Sequence, residues 1–554
     1  MNLNLLIKGQ NMLTEIYHVA SRCGAGKSRE TINELIRHLL DEGDGDRAYL
    51  LASKTNELTG ENFEYAKQLI QSHAGGNSLA IERVDSTNNK GTVVRDLESL
   101  LESEFKGIIF VSHRALASIN AAKLSNTRVV TDEAPQDLAG TLMVRYEARD
   151  TGYPWEKYLI EVPSAHTNYT RVEIAPGADR EDMRRYIRGI QQNRDTATTQ
   201  DVADLLEFLL EGYEAAYTTT TRSDGSIYRV YQAVHYHRLQ ALATHVDFLA
   251  ILAAQLDQTL FGFISQHLLG LPIVERDITD QITLVRKHRN QVRIVPLLDS
   301  GRWSTTLREK PAYESLTRGG HPISSKESVG QFAQTFAAQL LKQEPAVITL
   351  NDDEPLAPSL SHLKDSLTST HVHGMNHFRH LDHAVYLAST NPTPFENKIL
   401  SMFAKNHELE KHKLTRAIMV ERCYEVAYQC VARTSIRNTL VDPDKEHLII
   451  VPDMHYAKYI ESWFEPGCVT IDTQYSYQVE RNRKKKDLKI TKQFNLVVHI
   501  ITQHKQKKGK LPQLVAQAGI SMSTFKRYRE EFRPELEVVG LIKPKRQQAI
   551  KQTA

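Results

Sequence analysis

Between His18 and Ile32 the chain reads HVASRCGAGKSRETI. Glycines at 24 and 26 let backbone N–H groups come close to an anion, and the helical run that follows at once adds the positive end of its dipole. Lys27 and Ser28 complete the ending of a phosphate-binding loop. The ammonium would neutralise β and γ phosphates, and the hydroxyl would hold Mg²⁺. Ser21, Gly24, Ala25, Gly26, Lys27 and Ser28 are therefore the candidate residues for binding ATP, with Ser21 standing where the general motif has glycine.

A second set lies in RVVTDEAP, an apolar strand that ends in Asp132 and Glu133. Two carboxylates at a strand end, downstream of such a loop, can take separate roles. Asp132 would hold Mg²⁺ and Glu133 would polarise the attacking water. A third set lies in YEVAYQCVARTSIRNTL, which is helical in period. Gln429, Arg433 and Arg437 are spaced by four, which predicts one shared helix face. Arginines presented that way can reach a γ-phosphate from an opposing domain. The expected catalytic set is Lys27, Asp132, Glu133, Gln429, Arg433 and Arg437, with Ser28 and Asp132 on the metal.

These groups need a scaffold, and the pattern around them predicts one. Short apolar runs alternate with helical periods: EIYHVA (15–20), AYLLAS (48–53), LAIERV (79–84), GIIFVS (107–112) and TRVVTD (127–132). That rhythm is the signature of a parallel sheet covered by helices. It breaks after Pro135, and residues 145–243 are expected to form an inserted, mostly helical subdomain. KYLIEV and RVEIAP are its candidate strands, and REDMRRYIRGIQQNR and DVADLLEFLLEGYEAAY its helices. The α/β rhythm returns with VDFLAILAA, VRIVPLL, AVITL, HAVYLAS and HLIIVPD. The predicted class is α/β, with two tandem parallel-sheet domains (1–270, carrying the phosphate-binding loop, and 271–475) and a small all-α domain at 476–554.

A chain of 554 residues that is 41% hydrophobic and 25% charged is expected to be a soluble, several-domain protein. The N-terminal stretch has no secretory pattern, and the longest apolar run, 248–263, carries Gln255, Asp257 and Gln258, so no membrane span and a cytoplasmic location are expected. Four scattered cysteines without a C-x-x-C pair indicate free thiols in a reducing compartment. The histidines of STHVHGMNHFRHLDH lack zinc-site spacing.

The net charge of +2 hides an asymmetry. Residues 480–554 hold 19 lysines and arginines against 6 acidic residues, a local +13 that leaves −11 for the rest. Such a segment seeks a polyanion. Within it, KLPQLVAQAGISMSTFKRYREEF reads as a helix-turn-helix: Leu511, Leu514, Val515 and Ala518 mark one helix, Gly519 the turn, and Ser521 or Ser523 the cap of the next. Ser523, Thr524, Lys526, Arg527 and Arg529 would then meet duplex DNA, with Lys484, Lys485 and Lys486 adding phosphate contacts.

Taken in order, GAGKS, TDEAP and QCVARTSIR resemble the ordered motifs of superfamily 2 helicases, the DEAD/DEAH-like group, over roughly residues 13–475. LLASKTNEL is similar to the segment that touches the nucleic-acid backbone, through Ser53, Lys54 and Thr55, and VSHRAL to a second such element, through His113. ILAAQLDQT resembles a partial Ser-Ala-Thr motif, carried by Ala253, Ala254 and Thr259, and HVHGMNHFRHLDHAVYLAS resembles motif V, through Gly374 and Asn376. Arg437 stands one position beyond the family spacing from Arg433, and no adenine-reading Gln motif is seen. These departures resemble divergent phage, plasmid and mobile-element members. The resemblance implies an ATP- and Mg²⁺-dependent DNA helicase or translocase acting in replication initiation, with single-stranded DNA across the two RecA-like domains, duplex at the C-terminal domain, and replication proteins as partners. An RNA helicase, or a DNA-binding regulator that uses ATP only as a switch, is the alternative.

Overall fold

The computed structural model describes residues 13–41, 47–73, 79–89, 92–148, 152–162, 169–191, 200–221, 225–277, 285–370, 377–438, 445–480, 483–506, 509–533, 536 and 541–542. Gly374 and Asn376 lie outside them. Two compact units emerge, the first comprising residues 1–313 and 324–478.

The first unit opens with β1 (Ile16–His18), the phosphate loop and α1 (Lys27–Asp41). Then come β2 (Ala48–Ser53), α2 (Asn56–Ser72), β3 (Ile81–Val84), α3 (Val93–Glu102), β4 (Gly107–Ser112), α4 (His113–Ser118) and β5 (Thr127–Asp132). All six residues of β2 are buried, as a continuous apolar run in a parallel sheet requires. On α1, Ile32, Ile36 and Leu39 form the buried stripe, packed on Tyr49, Leu51, Ile108 and Phe110.

An insertion follows: β6 (Gly140–Glu147), β7 (Leu159–Val162), β8 (Thr170–Ile174), α5 (Arg180–Gln191), α6 (Gln200–Leu210), β9 (Ala215–Thr221) and β10 (Ile227–His235). Here the structure corrects the expectation of a mostly helical subdomain. Its framework is an antiparallel sheet in the order β6-β10-β9-β8-β7, with α5 and α6 sharing its core. The stretch read as one long helix stops at Leu210 because Gly212 turns with φ +87°, and the threonines beyond Tyr217 favour a strand. Arg114 Nη2 reaches Asp204 Oδ2 at 2.5 Å, tying the insertion to the start of α4.

After α7 (His237–His245), β11 (Leu249–Leu252), α8 (Leu260–His267) and β12 (Ile273–Glu275) return to the first sheet. The order there is β12-β1-β11-β5-β2-β4-β3, and the registered pairs are parallel. β12 thus extends the first domain past residue 270.

The second sheet is built from β13 (Gln291–Ser300), which leads through α9 (Thr305–Arg308), α10 (Ala312–Ser315), β14 (Leu316–Arg318), β15 (His321–Pro322) and α11 (Val329–Leu341) to β16 (Ala346–Thr349), β17 (Leu367–Thr368) and β18 (His383–Tyr386). Helices α12 (Pro394–Asn406), α13 (Lys411–Met419) and α14 (Glu425–Val431) precede β19 (Glu446–Asp453), α15 (Met454–Glu461), β20 (Val469–Ile471) and β21 (Tyr477–Val479). β13 lies between β19 and the pair β20, β21, and β19 continues to β18, β16 and β17, all in parallel register. Pro296 is tolerated inside β13 because its missing N–H falls where the neighbour changes, the pairing with β20 ending at Ile294 and that with β21 beginning at Leu298.

Between α13 and α14 the helix widens into a π segment, Val420–Tyr424. α12 and α13 bury Phe395, Leu400, Phe403 and Ile418 in the same core as Leu239, Leu242 and Phe261 of the first domain. Among the described residues, no helix is long and apolar enough to cross a membrane.

The second unit comprises residues 314–323 and 479–554. β14 and β15 pair antiparallel. α16 (Arg483–Lys505), α17 (Leu511–Gln517) and α18 (Met522–Glu531) share a core of Val497, Ile500, Leu514, Val515 and Phe525. Gly519, at φ +70°, makes the turn between α17 and α18, and the Ser521 hydroxyl caps α18 by accepting from Thr524 N–H at 3.1 Å.

Candidate functional site

The loop of residues 21–26 runs from the end of the first-sheet core into α1. Gly24 and Gly26 adopt φ of +81° and +87°. Gly24 has a second constraint, since a Cβ there would stand 2.7 Å from Arg437 Cβ. Lys27 folds back, its Nζ donating to Ser21 O at 3.1 Å and Arg22 O at 3.5 Å. The Ser21 side chain is buried and its hydroxyl has no hydrogen-bond partner among the described residues.

β5 brings the acidic pair to this loop. Ser28 Oγ donates to Asp132 Oδ2 at 2.7 Å. Burial, then the neighbouring Glu133 charge, push the Asp132 carboxyl up to about 6. Glu133 adopts φ +74°, an unfavourable conformation for a residue with a side chain, fixed by its N–H donating to Leu252 O at 3.1 Å. Its carboxylate lies 3.8 Å from Lys54 Nζ. The hydroxyl and carboxylate at 2.7 Å are a donor set that fits Mg²⁺, which takes one or two protein oxygens and fills its octahedron with water and phosphate oxygens. Ser28 and Asp132 would hold that ion, and it would supply charge neutralisation at the phosphates.

The second sheet contributes from the opposite side. Cys23 N–H donates to Tyr428 Oη at 2.9 Å, and Tyr428 Oη lies 2.9 Å from His288 Nε2. His288 Nδ1 lies 3.0 Å from Ile436 O. Burial, then the nearby Arg22 charge, lower His288 to about 3 and keep its ring neutral. The neutral ring lies between the Tyr428 hydroxyl at Nε2 and, at Nδ1, both Ile436 O and Arg22 Nη1 at 3.1 Å, so it joins the phosphate loop to the 433–437 segment. Arg22 Nη1 adds a bond to Arg437 O at 3.3 Å. Trp463 stacks on Tyr428 with centroids 4.7 Å apart and planes 9° apart.

The arginine set needs correction. α14 ends at Val431, Arg433 lies in the turn after it, and Arg437 ends a separate 3₁₀ turn, Ser435–Arg437. The three residues do not share one helix face, because the chain leaves the helix where Ala432 turns into Thr434. Arg437 nevertheless abuts Gly24, and burial lowers its affinity for its proton. Gln429 donates to Glu425 Oε1 at 3.2 Å.

Two predicted nucleic-acid contacts are also corrected. Ser53 is fully buried and accepts from Asn62 Nδ2 at 3.1 Å, and His113 is buried, with burial lowering it to about 4. Neither reaches a surface strand. Thr55 caps α2, accepting from Leu58 N–H, and Thr259 caps α8, accepting from Gly262 N–H. Lys526, Arg527 and Ser523 are exposed on α18, with Thr524 and Arg529 half-buried. Lys484, Lys485 and Lys486 fall within α16, with side chains outside the described residues.

Sequence reasoning missed Glu421, Glu425, Tyr428 and His288. Glu421 accepts from Phe261 N–H at 3.2 Å, at the N-terminus of α8, and from Gln136 Nε2 at 3.1 Å. Glu425 accepts from Tyr459 Oη at 2.7 Å, and burial, with the Glu133 charge adding to it, raises it to about 7. Two acids inside the largely apolar run MVERCYEVAYQCVA were the available signal, since buried carboxylates need partners.

No family model and no curated protein matches the chain. Among solved structures, S. tokodaii Xpd4 is similar over 83% of this chain and 96% of that one, at 12% identity and a TM-score of 0.43. The DEAD-box helicase Mss116 bound to ssRNA and UDP-BeF is similar over 96% of this chain and 88% of that one, at 10% identity and a TM-score of 0.34. The DUF1998 helicase MrfA bound to DNA and AMPPNP is similar over 82% of this chain and 50% of that one, at 10% identity and a TM-score of 0.33. Likenesses this distant assign no activity.

Proposed function

We propose that this chain is an ATP-driven nucleic-acid motor, a helicase or translocase that moves on DNA. The observation that carries the reading is the 2.7 Å bond between Ser28 of the phosphate loop and Asp132 at the end of β5, with Arg437 and Tyr428 of the other sheet against the same loop. A hydrolytic site split between two sheets changes its closure with nucleotide state, which is what a motor requires.

In this reading Lys27 leaves its loop carbonyls for the β and γ phosphates, and Glu133 orients the attacking water. Arg433 and Arg437 stabilise the charge that spreads over the transferred phosphoryl oxygens. Lys54, 3.8 Å from its carboxylate, helps to aim Glu133. The turn-linked α17 and α18 act as a helix-turn-helix that addresses duplex DNA, through Ser523, Thr524, Lys526, Arg527 and Arg529, and Lys484, Lys485 and Lys486 add phosphate contacts. Replication initiation of a phage, plasmid or mobile element is the setting that suits a motor carrying its own duplex reader.

ATP hydrolysis measured alone and with single-stranded DNA, duplex DNA or RNA tests the proposal. Stimulation is expected to be strongest with single-stranded DNA and to vanish in Lys27→Ala. Hydrolysis indifferent to every nucleic acid, or unchanged in Lys27→Ala, would overturn it. Stimulation by RNA alone would move the substrate to RNA. Removing residues 480–554 is expected to abolish salt-sensitive duplex binding and leave basal hydrolysis in place.

A further inference from the structure

A cavity of about 280 Å³ opens where the insertion meets the first sheet, between the start of α4 and the loop after β5 on one side and β6, the end of β10 and α6 on the other. No residue of the phosphate loop lines it. Two buried imidazoles line it with a nitrogen unspent. His113 is 2% exposed and His235 4%, and neither His113 Nε2 nor His235 Nδ1 has a hydrogen-bond partner among the described residues. The His113 ring also bonds to the backbone of Asp132, and a neutral ring has one N–H to give, so Nε2 presents a bare lone pair. The His235 ring stacks on Phe208, with centroids 4.4 Å apart and planes 18° apart. Buried nitrogens held in place call for a partner.

The surrounding charges select the ligand class. Arg114 pairs with Asp137 at 3.4 Å and Asp204 at 2.5 Å, Arg238 with Asp204 at 2.8 Å and Glu207 at 2.6 Å, and Lys54 with Glu133 at 3.8 Å. Asp201 lines the same cavity and makes no ion pair among the described residues. Three bases thus stand against five carboxylates, and the charge left over is negative. Such a wall repels phosphate. Among the described residues no trio of His, Cys, Asp or Glu converges to hold a metal ion. A cation that brings N–H donors suits both the spare carboxylate and the imidazole lone pair. Leu142 and the exposed Met143 supply apolar surface for an aliphatic stem. The volume lies below the range that drug-sized molecules fill, so the ligand is small.

We propose that this cavity binds an aliphatic ammonium, carried by a free polyamine or by a lysine side chain of a partner protein. Its N–H groups are accepted by His113 of the first domain and Asp201 of the insertion, so one ligand bridges the two. The methylene stem leaves past Met143. The inference does not rest on the motor reading and stands or falls apart from it.

Isothermal titration calorimetry of the full-length protein with cadaverine, with N-acetyl-lysine amide and with pentanediol as the uncharged counterpart tests this. At least one of the two cations is expected to bind saturably, and the diol not at all. Binding of cadaverine alone assigns the cavity to free polyamines, and binding of the lysine derivative alone assigns it to a protein side chain. Asp201→Asn keeps the shape of the wall and removes its spare charge, which should weaken the cation by about tenfold or more, the worth of one charged hydrogen bond. Met143→Lys, at an exposed position, brings an ammonium of its own to the mouth and should weaken the added cation as well. Three results would each overturn the proposal: neither cation binding at millimolar concentration, the diol binding as tightly as cadaverine, or affinity unchanged in both variants.

Discussion

Replacing Asp132 by asparagine is expected to stabilise the protein at neutral pH while removing its hydrolysis. The carboxyl is buried against Glu133, and its affinity for a proton is raised from the ordinary 3.8 to about 6. In the unfolded chain the proton leaves near 3.8; in the folded chain it stays until about 6. Folded protein therefore binds the extra proton between these values, and stability falls as pH rises through that window. Above it, the ionised carboxylate costs about 3 kcal/mol, at ~1.4 kcal/mol for each tenfold in proton affinity. The asparagine side chain never ionises, yet its carbonyl still offers the Ser28 hydroxyl an acceptor. The difference between variant and wild type should be near zero at about pH 4 and reach about 3 kcal/mol at about pH 8. Melting followed by circular dichroism without nucleotide would read this as several degrees at the higher pH. Millimolar Mg²⁺ should shrink the gap, because the cation stabilises only the ionised carboxylate. Equal melting temperatures at about pH 8, or a gap that widens on acidification, would refute the reasoning.

Arg433→Ala is expected to lower kcat by about 10³-fold or more with little change in melting, and a loss below tenfold would remove the residue from the phosphoryl-stabilising role. Gly24→Ala places a side chain at φ +81° and 2.7 Å from Arg437 Cβ, so both stability, by ~1–3 kcal/mol, and binding of a fluorescent ATP analogue should fall. Unaltered analogue binding would contradict the packing described. Tyr428→Phe strips Cys23 N–H of its acceptor and His288 Nε2 of its partner inside a buried site, which should cost ~1–3 kcal/mol in thermal unfolding.

What the sequence reveals here follows from how locally each feature is determined. AYLLAS, GIIFVS and TRVVTD coincide with β2, β4 and β5 because strands buried on both faces need apolar residues throughout. The place of the glycine loop between β1 and α1, and of Asp132 at the end of β5, is likewise legible, since each is fixed by a few adjacent residues. The insertion defeats a local reading where AAYTTTT follows a helix. Alanine and tyrosine suit helix or strand, and the deciding partners, β8 and β10, are set by tertiary pairing. The helix carrying Gln429 is shorter than its period suggests, because four-residue spacing says nothing about where a helix stops. The Cys23–Tyr428 and Arg22–His288 contacts join residues several hundred positions apart, which no local pattern encodes.

The π segment at Val420–Tyr424 makes the geometry around the glycine loop a matter of residue counting. One residue more than an α-helix holds in that turn rotates everything beyond it by about 100°. Glu421, before most of that rotation, faces Phe261 and Gln136, while Glu425, Tyr428 and Gln429 follow it. Deleting a single residue from 420–424 would restore a regular helix and swing the Tyr428 hydroxyl away from Cys23, with every side chain of the loop intact. The helix thus acts as an angular spacer, and its length, as much as its chemistry, sets where the second sheet touches the nucleotide loop.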